Sequence, residues 1–87
     1  MKTDDICRTF ASKAVRLSLR LLEPTDDDES PLVLIEGNSQ ALRMLAELIG
    51  AVAEASTDDG FSLSPHGAGK RYFATGSTHG FYINRID

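Results

Sequence analysis

The segment from Ser39 to Ala55 constrains the fold more than any other part of the chain. Its polar and glycine positions trace one narrow stripe at helical spacing, and almost everything between them is apolar. The stripe consists of Gln40, Arg43, Glu47, Gly50 and Glu54. We therefore predict a helix, about 25 Å long at ~1.5 Å per residue, capped by Asn38 or Ser39. Its apolar arc is broad enough to lie across a sheet and also to contact a second protomer.

The first half of the chain predicts a hairpin. Residues 14–21 alternate between apolar and polar side chains, which indicates a half-buried strand. The apolar run 32–35 is bounded by Pro31 and Gly37 and predicts a second, more buried strand. The segment between them, 23–31, holds two prolines around four consecutive acids and is predicted to be an exposed loop.

The last third predicts more β-structure. Phe61–Ser64 alternates, Tyr72-Phe73 and Phe81–Ile83 are aromatic or β-branched, and glycine-rich turns separate them. The predicted fold is α+β, with a single helix packed on one face of a small antiparallel sheet. The predicted order of elements is ββαββ, and whether a further strand follows is left open. We predict one domain over residues 1–87. Residues 1–12 are ambiguous, because Ile6, Phe10, Ala14 and Leu17 also fit a helical spacing. We interpret residues 1–12 as a short turn or a strand extension, and whether they are ordered is left open.

Composition narrows the class of protein. Apolar residues make up 41% of the 87 and charged residues 25%, which is typical of a globular domain. The net charge of −4 disfavours nucleic acid as a partner. The longest apolar stretches are far too short for a bilayer span, so no membrane partner is expected. Because a lone cysteine, Cys7, cannot form an internal disulfide, we expect a reducing, cytoplasmic location.

Gly67-Ala68-Gly69-Lys70 resembles part of a phosphate-binding loop but lacks its other requirements. A Walker loop needs a glycine five residues before its Gly-Lys pair and a hydroxyl residue after the lysine. Here those positions are Ser64 and Arg71. We interpret the segment as a turn that needs positive backbone angles.

The remaining reactive side chains do not form a recognisable constellation. His66 and His79 lie in predicted turns thirteen residues apart, and Cys7 is distant in the sequence. Residues 26–29 lack the spacing of a calcium loop. Residues 70–73 and 80–85 mix basic with aromatic residues, as RNA-binding sheets do, but these rings are needed for the core of so small a protein. We therefore predict no enzyme activity, no metal and no cofactor; an enzyme would require both histidines to converge with Cys7 or an acid in one cleft.

Several segments resemble the bacterial immunity protein 32 family. The resemblance is carried by Val33-Leu34-Ile35-Glu36-Gly37, Ala41-Leu42, Leu45-Ala46 and Phe61-Ser62-Leu63-Ser64-Pro65, and it spans roughly residues 14–86. It implies a non-catalytic bacterial protein that neutralises a polymorphic toxin by binding it.

The functional hypothesis is thus an immunity-like protein that masks a protein partner by surface complementarity. An acidic inhibitor can dock on a basic nuclease toxin by mimicking the charge of its substrate. The candidate contact residues are the two acidic clusters, Asp26, Asp27, Asp28, Glu29, Asp58 and Asp59. The alternative is a homodimeric structural or regulatory module that uses the surplus apolar arc of the helix.

Overall fold

The computed structural model describes residues 2–24, 30–55 and 60–87. In chain order the elements are α1 (Thr3–Phe10), β1 (Leu17–Leu22), β2 (Leu32–Gly37), α2 (Ser39–Glu54), β3 (Phe61–Leu63), a 3₁₀ turn (Lys70–Tyr72) and β4 (Phe81–Ile83). The predicted α+β class is confirmed, as is the order of two strands, a long helix and further strands. The second helix, α1, was not predicted.

Helix α1 replaces the turn or strand extension expected for the N-terminus. Ile6 and Phe10 are one helical turn apart, and both are buried in the core. Asp4 and Asp5 lie in the first turn, where negative charge complements the helix dipole. Because two large side chains on one face are buried, the helical conformation of this segment is favoured over an extended one.

The strands form two small sheets rather than one. Strands β1 and β2 pair antiparallel, with Leu17 opposite Gly37 and Leu22 opposite Leu32. Strands β3 and β4 form the second antiparallel pair. Isolated bridges join Leu17 to Phe73 and Leu19 to His79. Residues 72–79, which we call the C-terminal segment, therefore lie beside β1. Strand β1 therefore lies between β2 on one side and the C-terminal segment on the other.

The prediction of a strand at Tyr72-Phe73 is wrong. Tyr72 ends a 3₁₀ turn, and Phe73 makes only a single parallel bridge to Leu17. The turn follows Gly69, whose φ of 91° is left-handed, as the prediction of positive backbone angles required. A side chain at Gly69 would also collide with Leu63. The chain turns sharply after Gly69, and Tyr72 is buried in the core instead of continuing as a strand.

The core lies between α2 and β1, with α1 beside them. Leu17, Met44 and Leu48 are its largest fully buried side chains. Asn38 is the helix cap, because its side chain accepts a hydrogen bond from the Ala41 backbone N–H at 3.0 Å. Helix α2 thus begins immediately after β2.

Strand β2 is not the more buried strand that its apolar run indicated. Leu32, Val33 and Ile35 are all exposed, whereas Leu17 and Leu19 of β1 are buried. A short apolar run predicts a strand but does not say how much of the fold covers it. This exposed strand carries the candidate functional surface.

Candidate protein-binding surface

Strand β2 presents backbone hydrogen-bonding groups along an open edge. The Asn38 N–H donates to the Arg16 carbonyl at 3.3 Å, which continues the register of the hairpin by one residue. In an antiparallel pair, hydrogen-bonded and non-hydrogen-bonded positions alternate. The backbone N–H and C=O groups of Leu32, Leu34 and Glu36 therefore point toward β1. Those of Val33 and Ile35 point away from it.

The opposite edge of β1 confirms this alternation. The Leu17 carbonyl accepts from Ala74 at 2.8 Å, and the Leu19 carbonyl accepts from His79 at 3.0 Å. Odd-numbered residues of β1 therefore bond to the C-terminal segment. Within the described ranges β2 pairs only with β1. We call the outward-pointing backbone groups of Val33 and Ile35 the β2 edge.

Three apolar side chains lie together on one side of the hairpin near this edge. Leu21 stands directly opposite Val33, and Leu19 stands directly opposite Ile35, so their side chains share one face. Leu19 is buried, but Leu21 is 55% exposed, Val33 54% and Ile35 48%. We call Leu21, Val33 and Ile35 the hairpin face. Such side chains on neighbouring strands form an apolar surface of the kind that protein partners cover.

Helix α2 packs on this same side of the hairpin. An ideal side chain at Gly37 would come within 2.8 Å of the Ala41 side chain, so glycine allows the start of α2 to approach the sheet. Leu17, opposite Gly37, is fully buried in the same core cluster as Met44 and Leu48 of α2. The hairpin face is thus the uncovered continuation of the surface on which α2 lies.

The predicted surplus apolar arc of α2 is present in the structure. Leu42 and Ile49 are seven residues apart, two helical turns, and are 45% and 48% exposed. Ala46 and Ala53 are exposed on the same flank. We call Leu42, Ala46, Ile49 and Ala53 the helix stripe.

The stripe lies on the flank of α2 away from α1. Ile6 of α1 and Glu47, Gly50, Ala51 and Glu54 of α2 line an open groove between the two helices, on the other flank. Helix α1 in turn contacts the C-terminal segment, because Tyr72 donates a hydrogen bond to the Cys7 carbonyl. That segment borders β1 on the edge opposite β2. We infer that the helix stripe is on the side of the fold that carries β2.

The other face of the hairpin is polar near its centre. Arg20 and Glu36 form an exposed ion pair of 3.4 Å across the two strands. At this exposure the pair contributes about 0–1 kcal/mol to stability. Leu34, opposite Arg20, is half-buried.

The acidic candidates Asp26, Asp27, Asp28, Glu29, Asp58 and Asp59 lie outside the described residues. In the sequence, the first cluster follows β1 and precedes β2, and the second cluster precedes β3. Their role as contact residues stays a prediction.

The three reactive side chains occupy different settings. His66 and His79 are both exposed, and the His79 Nδ1 atom lies 2.7 Å from the Thr78 hydroxyl. Cys7 is half-buried on α1. Burial, assisted by the charge of Asp4, raises the pKa of the Cys7 thiol, which disfavours the nucleophilic thiolate.

Among residues 2–24, 30–55 and 60–87, no three His, Cys, Asp or Glu side chains come together where they could hold a metal ion. In the same part of the chain, no helix is both long enough and apolar enough to cross a membrane.

The open edge of β2 is the feature that sequence reasoning missed. The run Leu32–Ile35 was correctly predicted as a strand, but periodicity could not distinguish an edge strand from a central one. A usable signal was the broad arc of α2, which indicated that one small sheet could not cover all the apolar surface.

Comparison with known proteins gives no relative. The chain matches no protein-family model, no curated protein and no solved structure. The resemblance to the immunity protein 32 family therefore stays a prediction.

Proposed function

We propose that this chain is a non-catalytic protein-binding protein of the immunity type, acting in the cytoplasm by surface complementarity. The observation that carries the proposal is the exposed β2 strand, which combines an open backbone edge with the apolar hairpin face. Open edges bind other chains through backbone hydrogen bonds, and neighbouring side chains supply specificity. Apolar centres with polar borders are typical of protein interfaces.

The toxin-neutralising role rests on the family resemblance and on charge. The chain carries a net charge of −4, and two acidic clusters flank the strands in the sequence. A basic toxin would be attracted to these clusters, which would raise the association rate. The half-buried Cys7, with its raised thiol pKa, gives no support to an enzymatic alternative.

Co-expression tests this function directly. The chain is expressed in a bacterial host together with each candidate toxin encoded at its own locus, and growth is measured. We expect the wild-type chain to relieve growth inhibition and Asp26→Lys/Asp27→Lys/Asp28→Lys to relieve it at least tenfold less. The matched control is Asp4→Lys/Glu47→Lys/Glu54→Lys, which changes the net charge equally at exposed helix positions. If the wild-type chain relieves no toxin, the immunity role is wrong.

The homodimeric alternative is favoured by a specific observation. The helix stripe and the hairpin face are both uncovered, and both lie toward the β2 side of the fold. An interface between two copies would cover both surfaces together.

A further inference from the structure

We propose that β2 pairs antiparallel with β2 of a second copy of this chain, with the two Leu34 residues opposite each other. The inference rests on the proposed function in one respect, since it takes the β2 surface to be a protein-binding surface. It assigns that surface to a second copy, so a toxin would contact the acidic clusters instead.

The direction of the backbone groups fixes which registers are allowed. Val33, Ile35 and Gly37 point their N–H and C=O groups outward, so hydrogen-bonded pairs between copies can form only among these odd-numbered residues. The start of α2 crowds Gly37, which leaves Val33 and Ile35 as the open part of the edge. With Leu34 at the two-fold axis, Val33 of each copy lies opposite Ile35 of the other. Both pairs then exchange two hydrogen bonds, and every outward group of the β2 edge is satisfied.

Side-chain chemistry selects this register from its neighbours. Centred on Leu34, the pairing places β-branched Val33 beside β-branched Ile35 twice, and leucine beside leucine. Glu36 then lies opposite Leu32 of the second copy. A register centred on Ile35 would place Glu36 opposite Leu34 and Val33 opposite Gly37, where the start of α2 already crowds the strand. A register centred on Val33 would place Ile35 opposite Pro31, which has no N–H to donate. A register centred on Glu36 would oppose two like charges.

The strand lacks the usual protection of a free edge. Edge strands of monomers are commonly interrupted by lysine, proline, a bulge or an inward charge. Strand β2 has Pro31 before it and Glu36 near its end, but the four residues 32–35 between them are all apolar. An unprotected apolar edge is a template for another strand, and an identical strand is always present at equal concentration.

The same two-fold axis accounts for the helix stripe. Because paired residues point their side chains to the same side, the hairpin faces of both copies form one continuous surface. Helix α2 contacts β2 and shares one buried core with Leu17 and Leu19 of β1, so it lies above these two strands. At ~4.8 Å between strands, the two α2 axes would be about 10 Å apart, which is the distance at which helices pack. Leu42 and Ile49 of both copies then meet above Val33 and Ile35.

Cysteine cross-linking tests the register. In a Cys7→Ser background, Leu34→Cys places two thiols at a non-hydrogen-bonded pair, where the Cα atoms are ~4.5 Å apart and a disulfide can form. We expect Leu34→Cys to oxidise to a covalent dimer. Leu32→Cys alone and Glu36→Cys alone are expected to stay uncross-linked, whereas a mixture of the two is expected to form the mixed disulfide. Cross-linking at any other set of positions would overturn the proposed register.

Sedimentation of the full chain tests the dimer itself. Val33→Pro removes an outward N–H without breaking the hairpin, because proline is tolerated on an edge. We expect the wild type and Val33→Thr to be dimeric at micromolar concentrations and Val33→Pro to be monomeric, with an unchanged circular dichroism spectrum. A wild type that is strictly monomeric, or a dimer that survives Val33→Pro, overturns the inference.

The two proposals fail separately. A monomeric chain that still relieves growth inhibition by a toxin would contradict the dimer and support the immunity function. A dimeric chain that relieves growth inhibition by no toxin would contradict the immunity function and support the dimer. A chain that is monomeric alone but binds a toxin that protects the amides of Val33 and Ile35 from exchange would assign the β2 edge to the toxin.

Discussion

The hydroxyl oxygen of Ser77 accepts a hydrogen bond from the backbone N–H of Leu19 at 3.1 Å, although 58 positions separate the two residues. The same hydroxyl group lies 3.2 Å from the His79 carbonyl and can donate its proton there. Ser77 is the only buried polar residue among those described. It therefore joins β1 to the C-terminal segment at the edge opposite β2.

Replacing Ser77 should destabilise the fold. In Ser77→Ala the Leu19 N–H loses its acceptor in a buried position, which costs about 1–3 kcal/mol of unfolding free energy. The control is Ser62→Ala, an exposed serine on β3. Urea unfolding at neutral pH measures both variants. Equal stabilities of the two variants would contradict this role for the hydroxyl.

The Tyr72 hydroxyl group should attach α1 to the rest of the fold. It donates to the Cys7 carbonyl at 2.9 Å. We expect Tyr72→Phe to lower the free energy of unfolding by about 0.5–1.5 kcal/mol and to speed amide exchange within α1. Tyr82→Phe is the control, because that side chain is 69% exposed. If α1 exchanges equally fast in both variants, the hydrogen bond does not hold the helix.

The fold should lose stability at alkaline pH. Burial, with a smaller contribution from Asp4, raises the pKa of Cys7; burial, followed by the charge of Cys7, raises the pKa of Tyr72. Both groups are neutral when protonated, so the folded state favours their protonated forms. This contribution is fully present below their ordinary pKa values and is lost as the pH rises through the raised ones.

Unfolding measured from neutral to strongly alkaline pH checks this direction. The double variant Cys7→Ala/Tyr72→Phe is expected to be less stable at neutral pH but to lose less stability on alkalinisation. A wild type that gains stability above its ordinary thiol pKa would contradict the sign.

Local signals predicted those elements whose side-chain pattern and turn residues agreed. The long helix was predicted to within one residue at its C-terminal end, because two independent signals, its polar stripe and the Asn38 cap, indicate the same element. The hairpin strands were found from alternation and from their flanking prolines. The turn at Gly69 followed from glycine alone.

The errors concern residues whose conformation depends on distant contacts. Ile6 and Phe10 select a helix because the core accepts one face of it, and the sequence of α1 by itself also fitted a strand. Tyr72 bends into a 3₁₀ turn because its ring packs in the core and its hydroxyl reaches Cys7. The exposure of β2 depends on which elements lie beside it, and this is a property of topology.

Three glycines separate the cost of backbone conformation from the cost of steric overlap. Gly76 has a φ of 99° and open space around it, whereas Gly69 has a φ of 91° and Leu63 within 2.5 Å of an added Cβ. Gly67 has neither constraint. Alanine at Gly76 should cost about 1–2 kcal/mol, and alanine at Gly69 should cost more. Gly67→Ala should be close to neutral or slightly stabilising. Thermal unfolding of the three variants gives the order. A Gly69→Ala variant no less stable than Gly76→Ala would exclude the contact with Leu63.

The proposed dimer should strengthen as salt is added. Each copy carries a net charge of −4, so two copies repel each other, and the proposed pairing brings apolar rather than oppositely charged side chains together. Salt shortens the range of that repulsion to about 10 Å at 0.1 M and about 3 Å at 1 M, while apolar contacts and backbone hydrogen bonds are little affected. Sedimentation equilibrium over this range of sodium chloride should therefore show a falling dissociation constant for the wild type. Val33→Pro should remain monomeric throughout, because screening cannot replace the lost edge contacts. A dissociation constant that rises with salt would mean that ion pairs hold the two copies together, and the pairing of Leu34 with Leu34 would then be wrong.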